Sequence, residues 1–267
     1  MRAVVVGASS GLGRCIATSL GQNGAQLAIM ARRLDRLVDA AKEAGPGTLA
    51  IACDVTDEAS CKSAVDEAAQ GLGGIDALLY TPGVGPLARI EDVGPDTWRY
   101  AFDTNVIGAS LITAAAIPHL AASKGVVAYL SSVAGSLTPP WPGLGAYAVT
   151  KAALNTLIEA WRGEHPEVGF TQVIVGDCAG GEGPAMTEFA NAWDWNLAAQ
   201  LHPTWQARGL LAGSLVDVKE LARVVETVLS CGATACIPTV AVVPRPGQGP
   251  TPEMPTPEGP TPEMPSV

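Results

Sequence analysis

The sequence predicts an α/β fold, a doubly wound seven-stranded parallel sheet with helices on both faces. Two observations predict it. Short apolar runs of strand-forming residues alternate with longer segments of helical periodicity, as in repeated β-α units. The runs are as apolar as strands that are covered on both faces. Because parallel crossovers are right-handed, the helices must then cover both sides of the sheet.

Seven strands and six helices are expected before residue 244. The strands are predicted at residues 3–6, 26–30, 48–52, 77–80, 126–130, 171–175 and 236–242. Helices, several with Asp, Ser or Thr as caps, are predicted to begin near Leu12, Asp35, Ala59, Pro95, Ala146 and Val218. Residues 1–243 are therefore assigned to one domain.

The composition changes at residue 244. A five-residue unit follows three times, at residues 251–255, 256–260 and 261–265, and is rich in Pro, Thr and Glu. Because proline lacks an N–H donor and favours polyproline II, residues 244–267 are predicted to form an extended, disordered tail. A spacer or solubilising end is the expected role, and a docking peptide is the alternative.

Composition excludes several classes of protein. With 48% apolar and 16% charged residues, the 267-residue chain is not disordered throughout. Its net charge of −10 offers no cationic surface for nucleic acid. The six cysteines lack metal-ligand spacing, so we expect no metal site and a reducing, cytoplasmic compartment. No uninterrupted apolar run has the length of a secretory signal or a membrane span, so no membrane association is expected.

A glycine-rich turn lies between the first strand and the first helix. Glycines at this point allow the backbone to approach a pyrophosphate at the helix N-terminus, although a generic turn would also contain them. The expected cofactor contacts are Gly7, Ser9, Ser10, Gly11, Leu12 and Gly13. Their spacing, G-x-x-x-G-x-G, resembles that of the short-chain dehydrogenase/reductase family.

The residues after the second strand predict which dinucleotide is bound. Arg32 and Arg33 stand where an NAD-binding fold has an acid for the ribose 2′-hydroxyl. Since a guanidinium matches a 2′-phosphate, NADP(H) is preferred over NAD(H), unless these arginines only solvate the next helix. After the third strand, Asp54 and Val55 resemble the family's adenine-contacting pair, although an Asp that caps the next helix would look the same.

A phenol and an ammonium occur four residues apart in Tyr147-Ala-Val-Thr-Lys151. At helical spacing they share one face, and a nearby ammonium favours the ionised phenol, so the two form a usable proton-transfer pair. Ser132, at the end of the fifth strand, is the candidate for binding a substrate carbonyl oxygen. A turn or helix-capping serine is its alternative.

The order of these motifs resembles the short-chain dehydrogenase/reductase family over nearly all of residues 1–243. The resemblance implies hydride transfer between NADP(H) and a carbonyl or secondary alcohol, with Tyr147 donating the proton, Ser132 positioning the oxygen and Lys151 holding the ribose. Asn105 matches the family's asparagine, which implies a water-linked proton relay to Lys151; a satisfied polar group in a helix is the alternative. Family members are commonly oligomeric, which implies a homodimer or homotetramer.

The sequence departs from the family pattern at four places. Val6 replaces a threonine, and Tyr80-Thr81-Pro82-Gly83 replaces Asn-Asn-Ala-Gly, where Gly83 remains a cofactor contact and Thr81 offers one replacement hydrogen bond. Residues 139–142 look like an insertion. Asp177 replaces part of a Pro-Gly pair. It is a candidate to bind the cofactor carboxamide or to select a cationic substrate, and a turn-forming residue that faces solvent is the favoured alternative.

Residues 183–212, here called the lid, contain half of the six tryptophans. An apolar lid suits a hydrophobic small-molecule substrate, whereas core packing or a subunit contact would give the same composition. Two other functions remain open: a catalytically silent nucleotide-binding regulator or scaffold, and a reaction such as epimerisation or dehydration on the same fold.

Overall fold

A computed structural model describes residues 1–245, so nearly all of the predicted tail lies outside the described residues. All seven strands run parallel in the order β3-β2-β1-β4-β5-β6-β7. They are β1 (Arg2–Val6), β2 (Gln26–Ala31), β3 (Leu49–Ala52), β4 (Ala77–Tyr80), β5 (Val126–Ser132), β6 (Gly169–Val175) and β7 (Thr239–Val242). The doubly wound, Rossmann-like sheet is confirmed. Its order reverses between β1 and β4, which opens a crevice at their carboxyl ends.

Helices cover both faces of the sheet. They are α1 (Gly11–Gln22), α2 (Leu34–Ala44), α3 (Glu58–Leu72), α4 (Pro95–Phe102), α5 (Gly108–Ser123), α6 (Gly145–Glu164), α7 (Trp195–Ala207) and α8 (Val218–Leu229). Side chains of β1 alternate between two cores: Val4 and Val6 pack with α3, α5 and α6, whereas Val5 packs with α1, α2 and α8. The central strand is therefore buried on both sides.

Three local features differ from the sequence predictions. The last strand begins at Thr239 rather than residue 236, because Pro238 has no N–H for the ladder. The helix that starts at Pro95 contains a π-helical segment, Asp103–Ile107, between α4 and α5. Helix α7, with Pro203 inside it, was not predicted as a helix.

The continuous helical stretch Pro95–Ser123 is long and apolar enough to cross a membrane by length and composition alone. Buried core helices meet the same criterion. In this structure one side of α5 packs in the core through Ala109, Ile112 and Ala116, and its other side leaves apolar surface uncovered. The stretch is therefore a sheet-packing helix with one apolar face free.

Candidate active site

The glycine turn is shaped by close backbone contacts. Gly7 has a φ of +86°, and its N–H donates to the Met30 carbonyl at 2.7 Å. A Cβ on Gly7 would lie 2.5 Å from Thr81 Oγ1, and one on Gly13 would come closer than 3.0 Å to the Gly7 carbonyl. The Thr81 hydroxyl donates to the Val6 carbonyl at 2.6 Å, so it supplies the expected replacement hydrogen bond. Glycine is thus required on both sides of the turn.

The turn delivers the N-terminus of α1 to the crevice. Ser10 occupies the N-cap position without capping the helix through its side chain. The Gly11 N–H points out of the turn and donates to the Met186 carbonyl at 3.2 Å. A helix N-terminus beside glycines that permit close approach fits the pyrophosphate of a nicotinamide dinucleotide, once the Met186 carbonyl withdraws.

The two arginines after β2 have different environments. Arg33 Nη2 donates to Ser9 Oγ at 3.1 Å and to Ser10 Oγ at 3.3 Å. It also pairs with the Glu188 carboxylate of the lid at 2.7 Å, and this bond holds the pKa of Glu188 down at about 2. Arg32 is exposed and makes no side-chain hydrogen bond within residues 1–245. Arg33 is therefore the arginine that faces the glycine turn.

The proposed catalytic side chains converge at the end of β5. Lys151 is buried, and its Nζ donates to the Leu130 carbonyl at 2.7 Å and lies 5.8 Å from the centre of the Tyr147 ring. The Ser132 hydroxyl accepts from the Ala134 N–H at 3.2 Å, and it lies near enough to the Tyr147 phenol to lower its pKa. Helix α6 and strand β5 thus bring a phenol, an ammonium and a hydroxyl together.

Burial controls the protonation of the Tyr147 and Lys151 side chains. Desolvation raises the pKa of Tyr147 to about 12, and the nearby Ser132 hydroxyl only partly opposes it. Desolvation also lowers the pKa of Lys151 to about 8. The neighbouring ammonium therefore does not lower the pKa of the phenol as expected. At neutral pH the phenol carries its proton.

Asn105 lies in the π-helical segment and is fully buried. Its amide group donates to Thr150 Oγ1 at 2.8 Å and to the Val84 carbonyl at 2.9 Å, and its oxygen accepts from the Val84 N–H at 2.8 Å. The side chain is thus committed to holding the loop after β4. Gly83 of that loop lies beside Lys151, since a Cβ there would be 3.3 Å from Nζ.

The lid and the insertion at residues 139–142 together form an aromatic wall. The Trp205 indole N–H donates to the Pro142 carbonyl at 2.9 Å, and the Trp193 indole N–H to the Gly85 carbonyl at 2.8 Å. The Phe189 ring meets the Tyr147 ring edge-on, with 4.9 Å between centroids. The lid therefore covers the phenol with apolar surface.

Comparison with known proteins decides the family. The family model described as short chain dehydrogenase matches residues 1–194. The chain belongs to the short-chain dehydrogenase/reductase family. This is a family of oxidoreductases that use nicotinamide cofactors and act on small molecules.

Curated relatives of this short-chain dehydrogenase/reductase match about two thirds of its length. The protein named 11-beta-hydroxysteroid dehydrogenase-like 3 of Arabidopsis thaliana is 35% identical over 184 residues, 65% of this chain and 57% of that protein. An uncharacterized oxidoreductase of Staphylococcus saprophyticus is 34% identical over 168 residues, 62% of this chain and 68% of the relative. The match to the plant protein thus spans little more than half of its length.

Solved structures share the fold over most of the chain. An alcohol dehydrogenase of Thermococcus sibiricus, complexed with 5-hydroxy-NADP, superposes with a TM-score of 0.74 at 22% identity, covering 90% of this chain and 94% of that one. A 3-ketoacyl-(acyl-carrier-protein) reductase of Brucella melitensis, complexed with NADH, gives 0.74 at 24%, covering 90% and 96%. At these identities the likeness establishes the fold alone.

The acidic residues of the predicted site have structural partners in this short-chain dehydrogenase/reductase. Asp54 accepts from the Thr56 N–H and hydroxyl, and Asp57 rather than Asp54 caps α3. Asp177 is partly buried, which raises its carboxyl pKa, and a hydrogen bond from the Ala212 backbone opposes that shift. The Asp177 carbonyl also accepts from the Val216 N–H at 2.8 Å, so this residue helps to order the loop before α8, and its expected contact with a cofactor or substrate stays a prediction.

Sequence reasoning missed several residues that support the site. Thr150 and Asn155 lie on α6, three and four residues beyond Tyr147 and Lys151 respectively, and helical spacing could have indicated both. Asn155 accepts from Ser131 Oγ at 2.6 Å and so fixes the segment before Ser132. No local sequence pattern indicated that Glu188 belongs to the site. Within residues 1–245, no group of three or more His, Cys, Asp or Glu side chains is arranged to hold a metal ion.

Proposed function

We propose that this short-chain dehydrogenase/reductase is an NADP(H)-dependent oxidoreductase that acts on the carbonyl or secondary alcohol of a hydrophobic small molecule. The observation that carries the proposal is the convergence of the Tyr147 phenol, the Ser132 hydroxyl and the Lys151 ammonium at the end of β5, beside the loop after β4 that packs against the glycine turn. Each of these groups has a use in carbonyl reduction.

The residues of the turn and of β2 would hold the cofactor. The N-terminus of α1 would bind the pyrophosphate, where Gly7 and Gly13 permit close approach. A bound nicotinamide cofactor supplies or accepts the hydride. Arg33, with Ser9 and Ser10, supports NADP(H) over NAD(H), because a cation and two hydroxyls suit a phosphate and no acid ends β2. Arg32, also predicted to contact the cofactor, remains a prediction.

The proton is handled by the chain itself. Because its pKa is about 12, the Tyr147 phenol is protonated at neutral pH and can donate to the oxygen of a carbonyl as that oxygen gains charge. The Ser132 hydroxyl, which lies near the phenol, would hydrogen-bond the same oxygen. Lys151, held by the Leu130 carbonyl, stabilises the phenolate left after the transfer. Asn105 is a positioning residue, since its amide orders residues 83–85.

The surroundings of the phenol support a hydrophobic substrate. Phe189 packs against Tyr147, and Trp193 packs against Phe189. Leu87 and Trp141 belong to the same apolar cluster as Trp193. The plant relative is named hydroxysteroid dehydrogenase-like, so apolar ring ketones and alcohols belong in the first substrate panel.

Two further proposals concern partners and location. Ile107 and Val149 are about half exposed on the helices that carry Asn105 and Tyr147, which supports packing against a second copy in a homodimer or homotetramer. All six cysteines are free, which supports the reducing environment of the cytoplasm.

The test of catalysis is a panel of carbonyls and alcohols followed by nicotinamide absorbance. Tyr147→Phe should lower kcat by at least about 100-fold, the scale of a lost general acid. Tyr100→Phe, an exposed tyrosine on α4, should leave it unchanged. Equal turnover by the Tyr147 variant and wild type would refute the role of the phenol. Cofactor binding without turnover of any panel member would favour the silent regulator.

Cofactor preference has a matched pair of variants. Arg33→Ala should weaken NADPH binding by about tenfold or more and NADH binding much less, because only NADPH carries the phosphate. Arg32→Ala removes the same charge one residue away and is the matched control. Equal loss of both cofactors in Arg33→Ala would refute the preference argument.

A further inference from the structure

The acid that β2 lacks is supplied from elsewhere in the chain. Glu188 precedes α7 by seven residues, yet its carboxylate lies at the carboxyl end of β2, where it pairs with Arg33 at 2.7 Å. Arg36 of α2 binds the second carboxylate oxygen, and Ser10 Oγ donates to the carboxylate at 3.2 Å. The groups that suit a 2′-phosphate are thus already engaged by an anion of the protein.

The segment around Glu188 is anchored on both sides. Before it, the Met186 carbonyl accepts from the Gly11 N–H, and the Thr187 N–H donates to the Ala179 carbonyl at 2.9 Å. After it, Phe189 packs edge-on against Tyr147. The Thr187 and Phe189 contacts do not involve the Gly11 N–H that a pyrophosphate would use, and they direct the Glu188 side chain towards Arg33.

A carboxylate at this position interacts differently with NADH and with NADPH. A ribose 2′-hydroxyl is a donor, so it can hydrogen-bond a carboxylate that stays paired with an arginine. A phosphate is an acceptor with a charge of about −1.5 to −2, so it repels the carboxylate and competes for the same guanidinium. NADPH must therefore displace Glu188 from Arg33, whereas NADH can share it.

We propose that Glu188 is a specificity-determining residue that occupies the 2′-phosphate position and so reduces the preference for NADPH over NADH. The inference rests on the proposed function, because it needs the dinucleotide to bind along the glycine turn. Arg33 favours the phosphate and Glu188 opposes it, so the wild-type protein prefers NADPH by a smaller margin than Arg33 alone would give.

The test measures binding directly by isothermal titration calorimetry of NADPH and NADH, without substrate. Glu188→Gln keeps the size of the side chain and removes its charge. It should raise NADPH affinity about five- to tenfold, the scale of a half-exposed ion pair within a small network. NADH affinity should rise less than twofold or fall. Glu182→Gln makes the same charge change on an exposed residue of the same loop and should alter neither value.

The outcomes separate this inference from the proposed function. Glu188→Asp, which restores the charge on a shorter chain, should return NADPH affinity towards the wild-type value. An equal gain for both cofactors in Glu188→Gln, or a NADPH gain no larger than in Glu182→Gln, would overturn the role of Glu188 and leave NADP(H) binding intact. Failure of wild type and all variants to bind either dinucleotide would overturn the proposed function itself.

Discussion

The Asn105 amide and the Thr150 hydroxyl are joined by a buried hydrogen bond of 2.8 Å. Thr150 Oγ1 in turn donates to the Tyr147 carbonyl at 2.8 Å, within the first turns of α6. The π-helical segment after α4 is therefore tied to the helical turn that carries the phenol. The link gives Asn105 a mechanical role beside its hold on the loop at Val84.

Thr150→Val should weaken that link while keeping the shape of the side chain. The buried Asn105 amide loses one acceptor, which is expected to lower the free energy of unfolding by about 1–3 kcal/mol. A fall in kcat with little change in KM should accompany it, because the phenol is less well placed. Urea denaturation and steady-state kinetics measure the two effects. Thr156→Val, exposed on the same helix, is the control, and an equal effect of both variants would contradict the role of Thr150.

Lys151 should leave a signature in the pH dependence of stability. Its pKa is lowered by burial from 10.5 to about 8, so between these values the unfolded chain binds more protons than the folded protein. The contribution of Lys151 to the free energy of unfolding therefore rises with pH between the two pKa values. From pH 7 to pH 10 the rise is about 2 kcal/mol. Below pH 8 the cost of burying the ammonium is fully present.

Comparison of wild type with Lys151→Met isolates this contribution. The stability of wild type relative to the variant should increase from pH 7 to 10, measured by urea denaturation at each pH. Lys62→Met, on an exposed part of α3, should give a difference that does not follow this curve. A flat difference for Lys151→Met would show that the ammonium is not desolvated.

Gly13→Ala tests the shape of the glycine turn. The new Cβ would press on the Gly7 carbonyl and on Thr81 Oγ1, and backbone at this point has little room to move. We expect a loss of about 1–3 kcal/mol in stability and weaker binding of both dinucleotides. Gly163→Ala, near the end of α6, meets no atom within 4 Å and should stabilise by up to about 1 kcal/mol. Normal NADPH and NADH binding by Gly13→Ala would contradict the assignment of the turn.

Trp205→Phe tests how the lid is held. Trp205 is 3% exposed, donates to the Pro142 carbonyl, and packs 5.7 Å from Trp141 between ring centroids. The smaller ring should loosen the lid and lower stability by about 1–3 kcal/mol. Limited proteolysis should then cut residues 183–192 faster than in Trp98→Phe, a tryptophan of α4 outside this cluster. Unchanged cleavage would mean that the insertion does not hold the lid.

The sheet and most of the catalytic group could be predicted because their signals are local. A buried parallel strand is a short apolar run, and the spacing of Tyr147 and Lys151 alone places them on one helical face. Gly7 and Gly13 are required by contacts within one turn. The predicted boundaries of β1 to β6 therefore differ from the structure by two residues at most.

The missed features depend on contacts distant in sequence. Glu188 meets Arg33 across 155 residues, and neither position alone indicates the other. The preference for Arg33 over Arg32 depends on which side chain the N-terminus of α2 turns inward. The pKa of Tyr147 was expected to follow its charged neighbour, but it follows desolvation, which only the packed structure reveals. Helix α7 was not predicted because Pro203 lies inside it and because an aromatic composition does not distinguish a helical lid from an irregular one.

Strand β7 ends the sheet with only four residues, between Pro238 and Pro244. Within residues 1–245 its outer side has no neighbouring strand. An open edge invites another chain to add a strand, but a short edge bounded by residues without N–H groups offers few donors for that purpose. Molecules exposed to each other at high concentration are thereby protected from aggregation through edge-to-edge strand pairing.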